Sequence, residues 1–139
     1  MLKDALIGLW SIDVMYGPGA QEDTTLAFLP DGTGWLAFEH YFLCELDTFK
    51  WDIDDDQYLN IKGIDYFGLK EIGRVVIKMP SSLSFSKLKV SVNEESVPNG
   101  EIMRVATFDA PIWARESKFA FVTKDPIKLT PPKFSVEAM

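Results

Sequence analysis

Gly8-Leu9-Trp10-Ser11-Ile12-Asp13-Val14-Met15 sets the rhythm of this chain. Read as a strand over Leu9–Met15, it places Trp10, Ile12 and Val14 on one side and Ser11 and Asp13 on the other, the two-residue period of a half-buried β-strand. That period returns downstream between turn signals roughly every eight to twelve positions, the spacing of an all-β sandwich or barrel. It predicts strands at Thr24–Leu29, Gly34–His40, Thr48–Ile53, Tyr58–Lys62, Glu71–Met79, Lys87–Val92 and Glu101–Phe108, with Lys118–Thr123 as a candidate ninth. Within the fourth, Phe49, Trp51 and Ile53 alternate with Lys50 and Asp52. Gly17-Pro18-Gly19, Pro30-Asp31-Gly32, Asp54-Asp55-Asp56, Pro80-Ser81-Ser82 and Pro98-Asn99-Gly100 separate the strands, because proline presets φ and glycine accepts positive φ. Residues 40–47 and 63–70 read as loops, the second aromatic through Tyr66 and Phe67.

Length and composition bound the rest. A chain of 139 residues, 47% hydrophobic and 13% aromatic, supports one packed domain, placed at residues 1–125. Residues 126–139 read as an extended tail, since Pro131 and Pro132 forbid helix there. The net charge of −7 repels phosphate backbones and anionic lipid, which argues against nucleic acid and membrane surfaces as partners. No stretch has the length of a membrane span, and Met1–Trp10 lacks the apolar core of a signal peptide. Cys44 is the single cysteine, so no internal disulfide forms; together these features read as a cytoplasmic protein.

Sequential antiparallel strands with short connections remove their exposed edges by closing on themselves. The expected architecture is therefore an up-and-down antiparallel β-barrel of about eight strands. At Gly8-Leu9-Trp10 the chain resembles the lipocalin-like, or calycin, group, whose first strand opens on a G-x-W pattern. The resemblance implies that Gly8 turns a helical lead-in sharply into the strand and that the Trp10 indole plugs the closed end of the barrel. It also implies a basic side chain from a late strand laid over Trp10; Arg104 is the candidate and Arg115 the alternative. Small-ligand binding is the function such a barrel implies.

In that geometry the connections at 16–23, 40–47, 63–70 and 93–100 gather at one mouth, where Tyr16, Tyr41, Phe42, Tyr66 and Phe67 form an aromatic rim or else tuck inward over the core. Trp10, Leu36, Phe38, Phe49, Trp51, Val75, Ile77, Val90 and Arg104 have inward parity. The candidate ligand-binding set is Phe38, Trp51, Tyr41, Phe42, Tyr66, Phe67 and Arg104, an apolar lining whose chief polar group, Arg104, suits a hydrophobic acid or a flat aromatic molecule.

Other chemistry finds little footing. Asp52, Asp54, Asp55 and Asp56 resemble a calcium loop, but Gln57 stands where glycine is required and Gly63 where a glutamate belongs, so the stretch reads as a solvated hairpin tip. His40 and Cys44 lack the further ligands of a metal site and the orienting third group of a nucleophile pair. Neither cofactor nor metal is expected, and the chain reads as a binding protein and not an enzyme. The alternative is a filled barrel acting as an interaction or inhibitory module, its acidic Asp54–Asp56 face steering a basic protein partner.

Overall fold

Side chains on alternate positions of the second to fifth strands all come to rest in one apolar cluster, and the fold follows from how the backbone carries them there. The computed structural model describes residues 2–16, 22–40, 42–71, 74–112 and 116–131. A short helix, α1 (Leu2–Leu6), leads into β1 (Gly8–Ser11), β2 (Glu22–Phe28), β3 (Thr33–His40), β4 (Phe42–Ile53), β5 (Leu59–Glu71), β6 (Arg74–Pro80), β7 (Ser84–Leu88), β8 (Val90–Ser96), β9 (Ile102–Phe108) and β10 (Lys118–Thr123). A second short helix, α2 (Pro126–Leu129), follows. The protein is all-β, one antiparallel sheet in the order β6-β5-β4-β3-β2-β1-β10-β9-β8, with β7 paired to β5.

Ten strands form, and among the described residues no ladder joins β6 or β7 to β8, so the sheet is not closed by hydrogen bonds. This departs from the expected barrel of eight. The physical cause of the extra strand is the run Ser84–Ser96, expected as a single strand over Lys87–Val92. Lys87 takes φ 55°, and its N–H turns aside to the side-chain oxygen Oδ1 of Asn60 at 2.9 Å. The run therefore changes partners at Lys89: β7 pairs with β5 and β8 with β9.

Local hydrogen bonds reshape other strands. Ser11 Oγ donates to Asp23 at 2.8 Å and accepts from the Val14 N–H at 3.2 Å. The segment predicted as strand to Met15 therefore turns into one 3-10 turn over Asp13–Met15, side-chain bonding outcompeting the ladder. Of the stretches read as loops, residues 42–47 and 63–70 are strand, because β4 begins at Phe42 and β5 continues to Glu71. In β5, three residues span the step from Gly63 to Tyr66 that β4 covers with two, from Phe49 to Asp47. This bulge moves Tyr66 to the core-facing side.

Trp10, Leu26, Phe28, Leu36, Phe49 and Phe119 form the centre of the core, and Leu6 of α1 joins them. The rings meet edge-on: Phe28 with Phe49 at 5.8 Å and with Trp51 at 5.0 Å, Phe108 with Phe119 at 6.0 Å. Each fully buried ring contributes about 1.5–3 kcal/mol. On the opposite face of β2–β5, Ala27, Trp35, Ala37, Leu46 and Phe67 pack with Leu129 of α2. The Trp35 indole donates to the Leu129 carbonyl at 2.7 Å. The start of the expected extended tail is thus a helix capped by Asp125, whose carboxylate accepts from the Ile127 N–H at 3.1 Å.

Gly8 and Gly34 are required by close approach. Gly8 has φ +145°, and a Cβ there would sit 3.0 Å from the Thr123 carbonyl. At Gly34 a Cβ would strike the Phe49 ring and, at 2.5 Å, the Ala27 carbonyl. Gly34→Ala is expected to cost about 3 kcal/mol or more, the upper end of overpacking. Gly100→Ala, strained by its φ of +91° but free of neighbours within 4 Å, is expected to cost about 1 kcal/mol. Urea midpoints of the two variants check the ranking; equal losses would contradict the close packing of Phe49 over Gly34.

Candidate functional site

One cross-strand row organises the core-facing side. Trp10 pairs with Leu26, Leu26 with Leu36, Leu36 with Asp47, Asp47 with Tyr66 and Tyr66 with Met79. Exposure climbs along it: Trp10 and Leu26 are 0% exposed, Leu36 2%, Asp47 8% and Met79 51%. On the α1 side of this row lie Phe28, Gly34 and Phe49, all buried. On its other side Thr24, Phe38, Glu45, Gly68 and Ile77 form a second row, which ends in Ile77 at 50% exposure. The same side of the sheet is therefore packed at one end and open at the other.

The open half carries a cleft of about 290 Å3 bounded by Leu36, Asp47, Tyr66, Leu83, Ser84 and Phe85. The crossover from β6 to β7 shapes it, held where the Gly63 N–H donates to the Leu83 carbonyl at 2.7 Å. Ser81 Oγ donates to Asp47 at 2.6 Å, and the Tyr66 hydroxyl donates to Glu45 at 2.6 Å. Burial pushes the Asp47 carboxyl up from its ordinary value; the Ser81 bond opposes this and the Glu45 charge adds to it. Burial and the bond to Glu45 push the Tyr66 hydroxyl up to about 12, so it remains a donor at neutral pH.

Arg104 lies on β9, away from this cleft. It shares the core-facing side of β9 with Ala106 and Phe108, and its guanidinium lies 4.0 Å from the centre of the Phe121 ring. Phe121 in turn meets Trp10 edge-on at 5.4 Å. The contact expected between Arg104 and Trp10 is thus made through Phe121. Pairing of Trp10 with Phe121 inserts that ring, and the indole N–H is turned to the Leu6 carbonyl at 2.8 Å. The Arg104 Nε is buried and has no hydrogen-bond partner.

The other sequence candidates divide. Phe38 is half-buried and core-facing, opposite Glu45. Trp51 is 4% exposed at the packed end, where its indole donates to the Thr33 carbonyl at 2.9 Å and approaches that of Leu29 at 3.2 Å. Phe67 belongs to the opposite face with Trp35, and the Lys78 ammonium sits 5.7 Å from its ring centre. Tyr41, Arg115 and the side chains of Phe42, Cys44 and Val75 lie outside the described residues. Tyr16 is 56% exposed, and the Asn99 N–H to Met15 carbonyl bond of 2.9 Å brings its connection to that of 93–100. Sequence reasoning missed Glu45, Asp47 and Ser81. The first two were legible, since 45 and 47 continue the parity of Phe49, Trp51 and Ile53.

The acidic tip is braced as a turn: Asp54 accepts from the N–H groups of Asp56 and Tyr58, each at 3.0 Å, and the Tyr58 bond leads in holding its carboxyl below the usual range. Among the described residues no three His, Cys, Asp or Glu side chains gather as a metal site. No helix among them is long and apolar enough to cross a membrane. Comparison with protein-family models, curated proteins and solved structures finds no match to this chain.

A raised native pKa makes ionised Asp47 a cost to folding that is fully present above that pKa and fades as pH falls toward the unfolded value. Asp47→Asn keeps the acceptor for Ser81 and removes the charge. It is expected to gain on the order of 1 kcal/mol at neutral pH, shrinking toward zero in acid. Thermal melts across pH 3 to 8 check the sign; a loss of stability at neutral pH would show that the charge itself is favourable there.

Proposed function

We propose that this protein binds a small apolar molecule on the core-facing side of a wrapped sheet, in the manner of a lipocalin-like barrel. What carries the reading is that Ile77, Met79 and Ile102, respectively 50%, 51% and 73% exposed, all lie on the side that farther along forms the core. Ile77 and Met79 lie two positions apart on β6, and exposed apolar side chains that form a contiguous patch mark a binding surface. Half-buried Phe38 and Tyr66 extend the same surface.

Barrel-like wrapping is supported by the core itself. Ile61 and Leu88, toward one end of the strand order, share a cluster with Phe108 and Phe119 toward the other. The run Ser84–Ser96 passes from β5 to β9, and α1 packs against both β8 and β4. With ten strands in the sheet and a packed end built on Trp10, the open half has room for one small ligand in the size regime of such barrels. A lone cysteine fits a reducing, cytoplasmic setting for this binding protein.

An uncharged naphthylamine probe is expected to brighten on binding the folded protein, and native mass spectrometry of protein taken from cells is expected to show a bound small molecule. Ile77→Asn combined with Met79→Asn is expected to weaken probe binding about tenfold, the loss of roughly half of two apolar burials, with little change in melting temperature. Absence of probe uptake by the folded chain, or full affinity in the double variant, would overturn this function.

A further inference from the structure

We infer that the ligand is a small apolar amine and that Asp47, with Glu45, anchors its ammonium group in the cleft beside the β6–β7 crossover, an inference that rests on the binding reading above. Asp47 borders that cleft while only 8% exposed, and Ser81 engages one of its carboxylate oxygens, Oδ1. The other, Oδ2, takes no hydrogen bond and no ion pair among the described residues. It is not sealed, since among those residues Arg104 Nε is the one unpartnered side-chain atom closed to solvent; the space that Asp47 borders is the cleft. Glu45 is in the same condition: the Tyr66 hydroxyl holds its Oε1, and no cation among the described residues meets it. Tyr66 stands opposite Asp47 in the ladder and reaches Glu45, which gathers the two charges at one end of the cleft. Elsewhere the chain does supply cations to its acids, Lys118 holding Glu95 at 2.8 Å and Lys87 approaching Asp54 at 3.7 Å.

A buried carboxylate held by a single hydrogen bond is costly, and a neutral amide would serve Ser81 as well. What the position lacks is a cation. Calcium surrounds itself with about six to eight oxygens, whereas among the described residues no three acidic, histidine or cysteine side chains gather. An ammonium presents its N–H donors singly, so one reaches Asp47 Oδ2 and another Glu45 Oε2. The walls decide the rest of the molecule. Leu36 is buried, and Leu83 and Phe85 are half-buried, so the cleft receives an apolar body and offers no shell for a hydrated ion. At about 290 Å3 it stands at the small end of ligand sites, which limits that body to a single ring or a short chain. An acid of the same shape is repelled by both carboxylates, and a neutral analogue gains the apolar contact alone.

The test titrates wild type by calorimetry with phenethylamine, phenethyl alcohol and phenylpropionate, with calcium chloride as competitor for the amine. The amine is expected to bind about ten- to a hundredfold more tightly than the alcohol, the value of a hydrogen bond to a charged group. Asp47→Asn is expected to erase most of that preference and Glu45→Gln to reduce it by less, each keeping the acceptor for Ser81 or Tyr66; calcium is expected not to compete. Asp47→Asn is also expected to melt no lower than wild type at neutral pH, so that the lost preference is read on a folded chain. Should it fail to fold, Glu45→Gln and the three compounds on wild type decide. Equal binding of amine and alcohol, a preference that survives in Asp47→Asn, tighter binding of the acid, displacement by calcium, or no binding of these compounds while the naphthylamine probe still binds would each overturn the amine anchor and leave the binding function standing. Failure of the probe and of all three compounds would overturn both.

Discussion

The run from Ser84 to Ser96 is tied to β5 by its first half and to β9 by its second, and the rest of the molecule is built around that constraint. Strands β5 and β9 stand well apart in the sheet order, five strands lying between them along the ladder. One short run can pair with both only if the sheet curls toward a common interior. Sheet twist supplies the tendency to curl, and the burial of Trp10, Phe28, Phe49 and Phe119 against Leu6 supplies the free energy. The left-handed backbone at Lys87 is the local cost, about 1–2 kcal/mol for a residue with a Cβ, and one buried ring offsets it.

The same constraint opens the other end. Because β7 pairs with the Leu59–Lys62 half of β5, β6 is left the other half and becomes a free edge. Among the described residues no strand lies beyond its core-facing side chains Ile77 and Met79, and both are half exposed. Ser81 joins the two regimes: its hydroxyl binds Asp47 and accepts from the Leu83 N–H at 3.1 Å, so a buried carboxylate holds the crossover on which the open cleft depends. Gly63 makes room for it, since a Cβ there would collide with Ser81.

How much of this was legible in the sequence follows from the range of the interaction responsible. Parity within a strand is local, and Leu36, Phe49, Trp51 and Arg104 fall on the side their alternation gives. The end of β1 at Ser11 was not legible, because it depends on Asp23, twelve residues away, accepting the serine hydroxyl. Tyr66 and Phe67 could not be sorted by parity, since the bulge at residues 64–65 exchanges their faces and only the register with β4 reveals it. The α2 helix is fixed by Trp35 and Leu129, 94 residues apart, and its four residues carry no periodic signal of their own. Arg104 was found by its parity and its charge, but its neighbour was misread: the choice between Trp10 and Phe121 lies in the register of β1 against β10, which shifts between Leu9 and Trp10.

On the binding reading, that shift also bears on what the open half can discriminate. Had Arg104 lain on the indole, cation and plug would have formed one closed unit; with Phe121 interposed, the guanidinium is held one ring farther from the packed end. The charged groups on the core-facing side of the sheet differ in sign, Arg104 on β9 and the Glu45–Asp47 pair on β4. A field of that kind does little for the affinity of an uncharged molecule, whose binding rests on apolar area alone. It acts on a molecule with one charged end by making the two orientations unequal, since one places the charge against a cation and the other against two carboxylates. Specificity then arises from penalising the reversed pose as much as from rewarding the correct one. The buried carboxylate at Asp47, costly to the fold on its own, acquires on the binding reading a role that its hydrogen bond to Ser81 does not require of a charge.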